Sequence, residues 1–76
     1  MITIAEIQNR IIKSIKESGM TYTEIANKLN ISRSSISHFV RGDILPALDT
    51  LANLCNLLDI DANYVLCLDT TFNNFM

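Results

Sequence analysis

Seventy-six residues hold one small domain, and 49% hydrophobic against 18% charged residues excludes a disordered chain. No apolar run reaches the roughly 18 residues of a membrane span and no basic-then-apolar leader opens the sequence. Two cysteines and one histidine exclude a disulfide scaffold and a histidine-rich metal site, so a soluble cytoplasmic protein is expected. The formal net charge of −2 hides an asymmetry. Residues 1–42 carry all six basic residues against three glutamates, a balance of +3, whereas residues 43–76 carry five aspartates and no base, a balance of −5. Such a division hints at one surface that faces a polyanion.

The predicted elements are all helical. Ile4, Ile7, Ile11, Ile12 and Ile15 recur at three- and four-residue spacing, the stripe of an amphipathic helix over about 4–18. Thr3 and Glu6 form a capping box at its start, Ile2 and Ile7 a hydrophobic staple, and Gly19 a left-handed stop. The same signals return at Thr21 and Glu24, flanked by Met20 and Ile25, and open a second helix through Leu29. Asn30 behind it suits a tight turn. Ser32, between Ile31 and Ile36, opens a third helix that closes by Arg41 ahead of Gly42. Its first turn, Arg33-Ser34-Ser35, lacks the carboxylate that would complement the helix dipole, which suits an end that approaches another anion. Past a loop at 43–47, Leu48, Leu51, Ala52, Cys55 and Leu58 give the stripe of a fourth helix over about 48–58. Ile60, Asp61 and Val65 open a short fifth over about 62–67. The expected fold is all-α, a compact five-helix bundle, with residues 1–68 as the domain and 69–76 as a tail.

Residues 22–41 meet the requirements of a helix-turn-helix, two short helices joined by three or four residues. Ala26 is small where the helices cross, Asn30 sits at the turn, and Ile25, Leu29, Ile31, Ile36 and Phe39 supply the shared core. Arg33, Ser34, Ser37, His38 and Arg41 then fall on the outer face of the third helix, the face a major groove receives. The run from Met20 to Pro46 resembles the lambda-repressor-like DNA-binding family, the Cro and XRE type, at Ala26, Ile31-Ser32, Ile36, Arg41-Gly42 and Pro46. The likeness covers roughly residues 5–67. Three positions depart from the family pattern: Tyr22 stands in place of a phosphate-bonding glutamine, Val40 in place of a glutamate, and Ala47 in place of a serine cap.

The resemblance implies a sequence-specific DNA-binding transcriptional regulator, a repressor that acts as a homodimer on double-stranded, palindromic DNA. On that reading Arg33 reads a guanine edge, with Ser34, Ser37 and His38 as further base contacts. Tyr22, Thr23, Lys28, Ser35 and Arg41 are expected on phosphates. Leu54, Leu57, Phe72 and Phe75 form a surplus of apolar groups assigned to dimerisation. Cys55 and Cys67 are read as small buried apolar residues. No metal, cofactor, small-molecule ligand or membrane contact is expected, and no grouping of nucleophile, base or paired carboxylates suggests an enzyme. The competing function is a protein-interaction module that retains the fold with little DNA affinity. Net acidity and Tyr22 favour it, and the Arg33–Arg41 face disfavours it.

Overall fold

The computed structural model describes residues 1–68. Five helices follow in chain order: α1 (Ile4–Glu17), α2 (Tyr22–Leu29), α3 (Arg33–Arg41), α4 (Leu48–Leu58) and α5 (Ala62–Val65). There is no strand among the described residues, in agreement with the all-α expectation. The starts of the helices follow from side-chain chemistry. At α2 the Thr21 hydroxyl accepts from the Glu24 N–H at 3.1 Å and the Glu24 carboxylate accepts from the Thr21 N–H at 3.0 Å, a complete capping box. At α1 only half of the box forms: Thr3 accepts from the Glu6 N–H, but the Glu6 carboxylate takes the Thr3 hydroxyl rather than its backbone. Ala47 gives α4 no side-chain cap, leaving Asp49 in the first turn to complement the dipole.

Three helices end by one device. Asn30, Gly42 and Asp59 take left-handed φ values of 57°, 80° and 54°. The next residue then donates its N–H back into the helix, Ile31 to the Ala26 carbonyl, Asp43 to that of His38 and Ile60 to that of Cys55, at 3.0–3.1 Å. These bonds satisfy carbonyls that a helix end otherwise leaves unpaired. The fifth helix is shorter than the expected 62–67. It stops at Val65 because Leu66 leaves helical geometry and Cys67 turns to φ 64°.

The core draws on every helix: Ile11 and Ile15, Ile25 and Ala26, Ile36 and Phe39, Leu54 and Cys55, and Val65. Ala26, 2% exposed, is small enough for α2 and α3 to pack closely. Two expectations are corrected. Ile4 lies 60% exposed, outside the stripe that Ile11 and Ile15 bury. On α4 the buried line runs through Leu51, Leu54, Cys55 and Leu58, while Leu48 is 85% exposed and Ala52 is exposed. Leu54, only 1% exposed, is therefore packed inside its own chain and is not the surplus surface assigned to dimerisation. Leu57 is half-buried against the core, and Phe72 and Phe75 lie outside the described residues.

Long-range polar contacts fix α1 to its neighbours. Arg10 Nη1 donates to the Tyr64 carbonyl at 2.7 Å, and its guanidinium sits 4.6 Å from the Tyr64 ring centroid. Gln8 Nε2 donates to the Gly42 carbonyl at 3.3 Å, while within α1 itself buried Ser14 donates to the Arg10 carbonyl at 2.8 Å. Arg10 is thus a structural base, whereas Arg33 and Arg41 of α3 stay exposed.

Candidate nucleic-acid interface

The link between α2 and α3 is Asn30-Ile31-Ser32, three residues. Left-handed Asn30 makes the turn, Ile31 folds against the core, and Ser32 caps α3 by accepting from the Ser35 N–H at 3.2 Å. The rotation of α3 about its axis is set by Ile36 and Phe39, 0% and 6% exposed. At about 3.6 residues per turn the opposite side carries Ser34 and Arg41, flanked by Ser37 and His38, with Arg33 at the edge. Arg33, Ser34 and Arg41 are exposed, and Ser37 and His38 are half-exposed.

At the head of this face two helices meet. The Arg33 guanidinium lies 6.0 Å from the centroid of the Tyr22 ring, the outer limit of cation–π contact. Tyr22 itself packs partly on the core, and Thr23 stands exposed in the same first turn. The first turn of α3 holds no acidic residue, unlike those of α1 and α2. Its positive dipole end and Arg33 therefore reinforce each other toward an anion. Glu24, in the first turn of α2, has its pKa lowered by hydrogen bonds from the Thr21 backbone and side chain, with help from Lys28. Its charge belongs to the cap.

Two expected phosphate contacts stand apart from this cluster. The Ser35 hydroxyl shares a 3.0 Å hydrogen bond with Ser32, so it serves the cap. Lys28, in the last turn of α2, lines a groove with Asn53, Asn56 and Leu57 of α4, on the far end of α2 from Tyr22.

A further residue joins the face at its other end. Asp43 Oδ2 lies 3.1 Å from Arg41 Nε and 3.1 Å from His38 Nδ1, and Arg41 Nη2 lies 2.9 Å from the same ring nitrogen. Sequence reasoning placed Asp43 in a loop. Its signal was its position directly after a left-handed glycine, which folds the following residue back over the last turn.

Comparison with known proteins agrees with this geometry. A family model described as helix-turn-helix matches residues 11–65, from the middle of α1 to the end of α5. The HTH-type transcriptional regulator ImmR of Bacillus subtilis (strain 168) is 35% identical over 57 residues, covering 75% of this chain and 45% of that protein. The chain thus spans less than half the length of this relative. No solved structure matches the chain.

Proposed function

The chain belongs to the lambda-repressor-like helix-turn-helix family, and from that membership we propose that it regulates transcription by inserting α3 into the major groove of specific DNA. The observation that carries the reading is the outward side of α3. It presents Arg33, Ser34, Ser37, His38 and Arg41, with no acidic residue on the helix itself and Asp43 only at its far end, and Arg33 adjoins Tyr22 at the head of α2. Ser34, Ser37 and His38 read base edges near the centre of that face, and Arg33 reads a guanine at its edge. Tyr22, Thr23 and Arg41 hold the flanking phosphates, which set register and carry no sequence information.

Repression as a homodimer on a palindromic operator is part of the same proposal. Two recognition helices then stand about 34 Å apart, one turn of DNA. Dimerisation is supported by the apolar side of α4 and α5, where Leu48, Leu51 and Leu66 border a groove of about 160 Å³ with almost no polar lining. Leu57, which lines the separate Lys28 groove, and Phe72 and Phe75 are proposed as further dimer contacts. The same apolar groove favours a second reading, an interaction module that binds protein in place of DNA.

Titration of labelled genomic duplexes at several salt concentrations, followed by fluorescence anisotropy, separates the two. Phosphate binding must weaken as salt rises. Arg33→Ala should cost roughly 1–3 kcal/mol on the operator and relax preference at one base pair per half-site. Salt-independent binding, or silent substitutions at Arg33, Ser34, Ser37 and His38 together, would favour the interaction module.

A further inference from the structure

We propose that Asp43 is a built-in competitor of DNA phosphate: its carboxylate occupies the edge of Arg41 that a phosphate takes, and DNA must displace it. The inference rests on the DNA-binding reading above and adds to it a residue that restrains binding.

Backbone geometry puts the carboxylate there. Gly42 at φ 80° turns the chain, and the Asp43 N–H donates to the His38 carbonyl at 3.1 Å, so Asp43 lies back over the last turn of α3. The Gln8 bond to the Gly42 carbonyl holds the same link against α1. Asp43 is therefore anchored by main chain on one side and by α1 on the other.

The side-chain chemistry then decides what it does. Nε and one terminal nitrogen of a guanidinium form the fork that receives an oxyanion through two parallel bonds. In this chain both donors of that fork have an internal neighbour: Nε faces Asp43 Oδ2 at 3.1 Å, and Nη2 lies 2.9 Å from His38 Nδ1. Arginine only donates and a carboxylate only accepts, so the Arg41–Asp43 contact holds in either tautomer of His38, whose Nδ1 lies within reach of both. The side chains are about half exposed, 61% for Arg41, 43% for His38 and 51% for Asp43. An exposed pair of this kind is weak enough for a phosphate to replace one anion by another. The exchange penalises every duplex equally, and base contacts on α3 offset it only at the right sequence. Asp43 thereby lowers affinity for all DNA and leaves the ratio of specific to non-specific binding unchanged. Only a duplex with the right base contacts is then held at low protein concentration.

The test is a double-mutant cycle on a duplex of unrelated sequence, read by anisotropy across a salt series. Asp43→Asn should bind about two- to five-fold tighter at low salt. Its plot of log affinity against log salt should run nearly parallel to that of the unmodified chain, because Arg41 engages the same phosphate in both complexes. In an Arg41→Ala background the gain should vanish. Unchanged affinity, weaker binding, or an equal gain without Arg41 would overturn the proposal, the last because it would mark simple repulsion at a distance. Matching thermal unfolding of the variants checks that the fold is intact. If neither the unmodified chain nor any variant binds duplex at low salt, the DNA reading fails and the competitor role fails with it. Binding by the unmodified chain with a silent Asp43→Asn overturns the competitor role alone.

Discussion

Leu54→Ala asks whether the apolar surplus of α4 faces inward or outward. Leu54 is 1% exposed and packs in the cluster that joins all five helices, so truncation deletes three carbons from a closed site. Lost transfer energy and the residual cavity together cost about 2–5 kcal/mol at such a position. A chain of this size has only about 4–11 kcal/mol of total stability. A loss near ~3 kcal/mol would lower Tm by about 12–24 °C. Leu48→Ala is the matched control on the same helix: Leu48 is 85% exposed, and its truncation should change stability by no more than about 0.5 kcal/mol. Urea unfolding followed by far-UV circular dichroism measures both. The reasoning fails if Leu54→Ala unfolds like the unmodified protein, or if Leu48→Ala is the more damaging of the two at a concentration where the chain is monomeric.

Glu24 supplies a pH dependence. Its folded pKa is lowered, chiefly by the Thr21 hydrogen bonds, so its charge stabilises the fold above the ordinary carboxylate value. That contribution fades as pH falls toward the lowered value and is gone below it. Glu24→Gln should therefore be less stable than the unmodified chain at neutral pH and equal to it in acid, as thermal melts at both ends would show; a difference that persists in acid would assign the loss to geometry. Both thiols should resist a disulfide reagent in the native protein and react on unfolding. Burial pushes the Cys55 thiol up, with the Asp61 charge adding to it, and Cys67 is 2% exposed. Fast labelling without denaturant would contradict this.

Much of this protein is written in local chemistry. Thr21 with Glu24, Ser32 with the Ser35 amide, left-handed Asn30 and Gly42, and the uncapped start at Ala47 each depend on a few consecutive residues. The outer face of α3 was legible for the same reason, since Ile36 and Phe39 mark its inner side by spacing alone. Other features depend on what lies opposite in space. α4 offers two overlapping apolar lines, one through Leu48 and Ala52 and one through Leu51 and Leu54, and periodicity ranks them alike. Packing against the other helices selects the second. Arg10 reads as one more surface base until the Tyr64 carbonyl and ring arrive from 54 residues away. Lys28 shares α2 with Tyr22, yet it lines a groove with α4 instead of joining the face at Arg33. Asp43 reads as loop until the turn at Gly42 sets its carboxylate against Arg41 and His38. Short-range hydrogen bonding and helical period therefore settle where each helix lies in the chain. Which side of it is covered, and which charges are left for a partner, is settled only when distant elements compete for the same surface.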